Sequence, residues 1–503
     1  MLRYIPKRST GGCLTCKRRK KKCDERRPHC RRCELGDFHC LGYEIPDNEY
    51  IAGVGHSDTQ TGLLHWPPEV PAIPFGSGPS PQLLESLIQL PEYEGQVGHP
   101  SRNHALMQEV RNYLSGIPDH IRLDTVAAKD ATSFILSQYS KFSHELMFRP
   151  LPNSIEEGLL WRIDDSNITR WSMYLVARMI KDTLSGKDVQ KHLGWIFRFF
   201  EQILEVPSPT EHGLNLGARL GGLHDLLSLV FMVSGPAIGY SLFKRCTPVF
   251  LQLATLYPNI WSNDSTISIL EAVQSSRYEI SQFVINDTIV ALVLGTPPLI
   301  HYETTLAWTA EAPAYYQLMC GFPIGVLLLL ARVNAWRASQ LMEQASQNQS
   351  DREEQLDSWN PTIDHGDGAN NSITRFTIQE AWRQAAKIYL YMGMKDVNSA
   401  DHRVERAVQQ VVQLGSIIKV GTPLELHVVI PCLIAGVAAR KEKHRAPLRR
   451  RIANNASQKL NTLMLRGSDF VTVLDHLWHG AGSEGRPVTW EDYVQSRFSV
   501  LPI

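Results

Sequence analysis

Cysteine is scarce over most of this chain. Of nine in 503 residues, six fall between Cys13 and Cys40, and only Cys246, Cys320 and Cys432 lie beyond them. Long apolar runs are missing as well. Runs such as Phe322–Ala331 and Thr288–Leu294 fall far short of the ~20 residues a membrane span requires, so no membrane partner is expected. Met1–Gly12 has no apolar core of the kind a signal peptide needs. A reduced, intracellular chain is therefore expected. That weighs against a disulfide framework for the six clustered cysteines and against glycosylation at sequons such as Asn167-Ile168-Thr169. Convincing alternating strands are also lacking.

Net charge is absent too, but only in sum. Lys plus Arg and Asp plus Glu each number 51, yet residues 1–40 hold 13 of the basic residues and 4 of the acidic ones. The head is thus +9 and everything after it −9. Such asymmetry favours a nucleic-acid-binding head and discourages the body from lying on a polyanion. Hydrophobic content of 43% and charged content of 20% are those of a globular protein long enough to bury a substantial core.

The six cysteines fall at Cys13, Cys16, Cys23, Cys30, Cys33 and Cys40, with gaps of two, six, six, two and six residues. The same half-motif therefore occurs twice in tandem. Thiolates are soft ligands suited to tetrahedral Zn²⁺, and a closed structural site takes four of them. Six thiolates fill two such sites only if two of them bridge both metals. The tandem spacing points to Cys13 and Cys30, the first cysteine of each half, as the bridges. His29 and His39 sit beside ligand cysteines and are read as bystanders. All six residues between Cys16 and Cys23 are basic (Lys17, Arg18, Arg19, Lys20, Lys21, Lys22), whereas the span from Cys33 to Cys40 has none and carries Glu34 and Asp37. One half is built to face a polyanion and the other to complete the fold. A metal-storage cluster would not need this basic run. A zinc module that binds RNA or protein stays open as an alternative.

In these residues the chain resembles the fungal zinc binuclear cluster (Zn₂Cys₆) transcription factors. The match rests on Gly12-Cys13-Leu14-Thr15-Cys16, the basic run, Lys22-Cys23-Asp24-Glu25, Pro28 and the whole cysteine ladder. The resemblance implies a sequence-specific DNA-binding regulator of RNA polymerase II transcription. It would be nuclear, hold two Zn²⁺ per chain, and contact double-stranded DNA and the transcription machinery. It also implies CGG-like triplets read in the major groove by a short helix. Lys20 would occupy the main base-reading position with Arg19 beside it, while Lys17, Arg18 and Lys22 hold phosphates. Lys17–Lys22 with Lys7-Arg8 also fits an import signal.

Domain limits are expected at 1–45 for the zinc cluster, 46–100 for a linker and 101–503 for an all-α body. Residues 41–100 hold nine of the 29 prolines and eight glycines. One amphipathic stretch, Ser80–Leu90, is expected to dock on the body as a short helix. A coiled coil is not expected before residue 100, since Pro46 follows closely on Cys40 and no run of apolar heptad positions is sustained. A homodimer paired through the helical body is the favoured arrangement, because one triplet buries too little surface for strong specificity. Helical periods are clear in 167–184 (Trp171, Tyr174, Leu175, Met179) and in 188–205 (Val189, Leu193, Ile196, Phe197, Phe200, Ile203, Leu204). A polar insertion is expected near 344–371, and Arg440–Arg451 reads as a solvated helix junction.

Parts of the body resemble the fungal-specific transcription factor domain. The resembling segments are Asn286-Asp287 through Gly295-Thr296-Pro297-Pro298, Glu380-Ala381-Trp382 through Tyr391, Pro431 through Gly436, and Leu477-Trp478 through Trp490. No catalytic constellation is found. Gly480-Ala481-Gly482-Ser483-Glu484-Gly485 fits a dinucleotide-binding pattern on paper, but it is preceded by a helix pattern (Ser468–Trp478) and followed by Arg486-Pro487. His144-Glu145 lacks the second histidine of a zinc hydrolase, and Cys246, Cys320 and Cys432 read as core. The competing functional reading is a zinc-dependent nuclear scaffold or co-regulator that binds nucleic acid without sequence preference.

Overall fold

The computed structural model describes residues 16, 21–26, 30–35, 125–149, 155–205, 213–262, 266–304, 316, 319–341, 369–454 and 465–503. Its contacts divide the chain into two units, Met1–His65 and Trp66–Ile503, a division that falls inside 46–100. The expected helix at Ser80–Leu90 lies outside the described residues, as does nearly all of the expected polar insertion; its last three residues, 369–371, are helical.

Among the described residues of the first unit, Arg31–Leu35 forms a short helix, α1. The described residues of the second unit are mostly helical. In chain order they are α2 (Thr125–Leu146), α3 (Ile155–Asp165), α4 (Asn167–Leu184), α5 (Leu193–Glu205), α6 (Gly213–Ser234) and α7 (Pro236–Ala254). There follow α8 (Ile269–Gln274), α9 (Tyr278–Leu294), α10 (Ile324–Leu341), α11 (Ala369–Met394) and α12 (His402–Ile417). The chain closes with α13 (Val429–Ala438), α14 (Glu442–Asn454), α15 (Gly467–His479) and α16 (Trp490–Val500).

Where the apolar period is strong, the expectation and the element agree. α4 starts where Ser166 accepts the Ile168 N–H, and it buries Trp171, Leu175 and Met179 on one face. The 188–205 pattern resolves into a 3₁₀ turn at Gln190–His192 followed by α5, whose Ile196, Phe197, Phe200 and Ile203 are buried. α6 is the hub of the amino-terminal half, packing against α4, α5, α7 and α9. α9 leads through α10 to α11, and α13 is enclosed by α11, α12, α14 and α15. One continuous apolar core runs through all of them.

Two differences from the sequence reading have simple causes. Leu216–Ser234, within α6, is 19 residues long and apolar enough to cross a membrane, a stretch that a search for unbroken apolar runs passes over because Arg219, His224 and Asp225 interrupt it. Most of it is buried among the other helices, so its apolar surface is taken up by packing. The body is also not purely helical. Ile267–Ser268 and Tyr302–Glu303 pair in parallel, too short a ladder to show any alternation.

Of the segments that carried the resemblance in the body, two span helix ends and the chain beyond them, and two lie inside α11 and α13. α9 ends at Gly295, which adopts φ +64° and takes the chain out of the helix. The Asp287 carboxylate then accepts the N–H of Leu299 (2.9 Å) and of Ile300 (3.3 Å) and the Tyr302 hydroxyl (2.8 Å), anchoring the chain beyond Pro297-Pro298. Trp382 donates from Nε1 to the His427 carbonyl, Tyr389 to Asn334 Oδ1, and Trp478 to the Gly436 carbonyl. Each of these side chains is buried, and each sends its polar atom to a neighbouring element.

Candidate metal centre and nucleic-acid interface

The cysteine-bearing segment, about 40 residues, is too short to bury a sufficient core, so something other than apolar area must hold it. The thiols of Cys16, Cys23 and Cys30 are buried and lie within 4.8 Å of one another. Cys16 Sγ and Cys30 Sγ are 3.7 Å apart. That excludes a covalent S–S bond, which needs ~2.05 Å. It matches the edge of a tetrahedron of sulfurs at ~2.3 Å from a central ion, which is ~3.8 Å. Soft donors at that spacing fit Zn²⁺ well. Cys30 comes from the second half-motif and Cys16 and Cys23 from the first, so the two halves share one site.

The local chain explains the convergence. The Lys21 N–H donates to the Cys16 carbonyl at 3.0 Å, tying the end of the first half-motif's basic run back to Cys16. Glu25 adopts φ +58°, a left-handed conformation, and its N–H points to Cys23 Sγ at 3.4 Å. Such an N–H offsets thiolate charge and orients the ligand. Cys30 stands immediately before α1, and the backbone places Cys33 on that helix.

Lys22, with Lys21 beside it, is exposed at the end of the basic run, as a phosphate contact must be. Cys13, Cys40, Lys17, Arg18, Arg19 and Lys20 lie outside the described residues. The structure thus brings together Cys16, Cys23 and Cys30 of the expected ligands. In the sequence Asp24 enters only as part of the Lys22–Glu25 match and carries no expected role. It accepts hydrogen bonds from the start of α1, and the only sequence signal for that is an Asp a few residues ahead of a helix.

In the body the candidate catalytic features dissolve into structure. Cys246, Cys320 and Cys432 are buried; burial pushes the thiols of Cys320 and Cys432 up to about 12 and that of Cys246 higher still. The glycine-rich segment 480–485 is a turn between α15 and α16 with a 3₁₀ element at Ser483–Gly485. Its carbonyls are held by arginines: Gly482 accepts from Arg445 at 2.7 Å and Gly485 from Arg440 at 2.9 Å. Its Gly482 N–H is used internally, on the Leu477 carbonyl, instead of facing outward as in a phosphate cradle.

The reading of Arg440–Arg451 as a solvated junction holds for Lys441, Lys443, Arg449 and Arg450, which are exposed, and is corrected at Arg445 and Arg451. Arg445 is buried and bonded to the Ala439 and Gly482 carbonyls. Arg451 pairs at 2.9 Å with Glu425, itself buried, and Arg449 pairs with Asp475. Backbone carbonyls and carboxylates from distant elements, invisible in the local sequence, absorb these cations.

The described residues thus give two things: three clustered cysteines of the kind that hold zinc, and a large helical body. The comparisons with known proteins agree. The fungal Zn(2)-Cys(6) binuclear cluster domain matches residues 11–50, and the fungal specific transcription factor domain matches residues 242–502, about half of the chain. The chain belongs to the fungal-specific transcription factor family, whose members are regulators and not enzymes.

Among curated relatives, it is 52% identical over 42 residues to White-opaque regulator 2 of Candida albicans, covering 8% of this chain and 9% of that protein. It is 43% identical over 60 residues to Pestheic acid cluster transcriptional regulator 3 of Pestalotiopsis fici, covering 12% and 11%. It is 59% identical over 34 residues to Arginine metabolism regulation protein II of Saccharomyces cerevisiae, covering 7% and 4%. The matches thus span only a small part of each relative. No solved structure matches.

Proposed function

We propose that the protein is a nuclear, sequence-specific regulator of transcription that reads CGG-like triplets in the major groove. The observation that carries this reading is the convergence of Cys16, Cys23 and Cys30 from both half-motifs next to the exposed Lys21 and Lys22. Cys13, Cys16, Cys23, Cys30, Cys33 and Cys40 would hold two Zn²⁺, with Cys13 and Cys30 bridging. The metals replace the apolar core that ~40 residues cannot supply. Lys20 and Arg19 donate to guanine O6 and N7, while Lys17, Arg18 and Lys22 neutralise phosphates.

Domain limits at 1–45, 46–100 and 101–503 are part of the same proposal. So are pairing of two chains through the helical body and contact of that body with the transcription machinery. The acidic balance of the chain beyond residue 40 supports this division of labour, since it keeps the body off the DNA.

The test is selection of bound duplexes from a random pool at fixed salt, with metal analysis of the same preparation. Enrichment of a CGG-containing motif with two zinc ions per chain is expected. Binding without enrichment would replace this reading with the non-specific scaffold, and one zinc per chain would refute the bridged cluster.

A further inference from the structure

We infer that Asp24 is a positioning residue that locks the two halves of the cluster together and so sets its affinity for metal. This rests on the zinc reading above. Asp24 follows Cys23 in the first half, yet both of its carboxylate oxygens reach the second. Oδ2 accepts the Arg31 N–H at 3.0 Å and Oδ1 accepts the Arg32 N–H at 3.2 Å. These are the first two N–H groups of α1, and neither has a partner within the helix.

A helix of five residues is not stable by itself, because nucleation costs more than so few hydrogen bonds return. Its start must be fixed from outside, and Asp24 supplies that cap across a gap of seven residues. A second link runs the other way: the Arg32 guanidinium donates to the Lys22 carbonyl at 3.2 Å. Residues 22–24 and 31–32 are thus tied at three points.

The consequence is geometric. Cys30 stands directly before α1, and its sulfur has to lie 3.7 Å from that of Cys16, which belongs to the other half. Metal binding can draw the halves together without Asp24, but then the ion alone meets the entropy of ordering α1. With the cap, part of the ordering is supported by the chain. The left-handed turn at Glu25 fits this role, since it sends the Glu25 N–H to Cys23 Sγ while the preceding carboxylate faces α1.

The test uses the full chain and cobalt(II) as a spectroscopic stand-in for zinc, titrated against a competing chelator. The body's cysteines are buried, so tetrahedral thiolate–cobalt absorption reports the cluster. Asp24→Ala should retain that absorption but bind cobalt about tenfold more weakly, in line with the loss of a capping side chain. Asp24→Asn keeps one carbonyl acceptor and should recover most of the affinity. The helical signal of the body should be the same in all three proteins. Equal affinity in the unmutated chain and Asp24→Ala would overturn the proposal, as would an Asp24→Asn variant as weak as Asp24→Ala. A wild-type chain without any thiolate–cobalt absorption would overturn the zinc reading itself, and the proposal with it.

Discussion

The roles of single side chains divide between reading, positioning and packing. If Lys20 donates to one guanine, Lys20→Ala should weaken specific binding by roughly 1–3 kcal/mol and relax discrimination at one base pair. Lys17→Ala should weaken all duplexes alike and flatten the salt dependence. Binding curves on matched and mismatched duplexes at several salt concentrations separate the two. In the body, His224 is a buried imidazole stacked on Phe283, with neither ring nitrogen hydrogen-bonded. Burial, with a smaller contribution from the Arg162 charge, pushes it down to about 3. The sign follows directly. Between about 3 and the ordinary 6.5 the unfolded chain binds a proton that the folded chain refuses, so stability is lost as pH falls through that window. The slope is about 1.4 kcal/mol per pH unit for one group. His224→Leu should therefore remove that share of the acid sensitivity, seen as a flatter dependence of melting temperature on pH from 6.5 to 4.5 than in the unmutated chain.

At the scale of elements, the junctions carry more of the specificity than the helices themselves. The connection from α9 to the short strand at Tyr302–Glu303 is an example. Gly295 sits at φ +64°, and a Cβ there would meet Val494 Cγ2 of α16 at 2.6 Å. Gly295→Ala should destabilise the body by about 1–3 kcal/mol, through the left-handed backbone and the forced shift of Val494. Denaturant unfolding followed by helical signal measures it. The same connection shows why Asp287 and the Gly295-Thr296-Pro297-Pro298 stretch belong together. The carboxylate takes two backbone N–H groups and a hydroxyl that the irregular chain beyond the prolines would otherwise leave unpaired.

For the molecule as a whole, the two units depend on different forces. On the zinc reading the head depends on metal–thiolate bonds, whereas the body has a large apolar core with a small separate cluster at Ile135, Ile163, Met173 and Ala177. A strong chelator should abolish DNA binding while leaving the far-UV helical signal and the melting of the body nearly unchanged, because Cys246, Cys320 and Cys432 lie within that core. A loss of body structure on chelation would contradict this independence. Pairing of chains has its own test. Affinity for paired triplets, measured while gap and orientation are varied, should show a broad optimum if the body pairs and 46–100 serves as a flexible tether. A sharp optimum that survives deletion of 101–503 would move the dimer contact into the linker.

The cysteine ladder was legible in the sequence because metal ligation depends on residue type and spacing along a short chain, both of which are local. α4 and α5 were legible for a similar reason: each has one buried face, and a 3.6-residue period records it. α6, α9 and α13 are buried nearly all round, and burial on every side erases the period that would announce it. The burial of Arg445, the hub at Asp287 and the reach of Asp24 across to α1 were decided only by tertiary structure. In each, a polar group is satisfied by a backbone atom from 6 to 37 residues away, as Arg445 is by Ala439 and Gly482. Backbone donors and acceptors are the same at every residue, so a sequence carries no mark of which one a side chain will find.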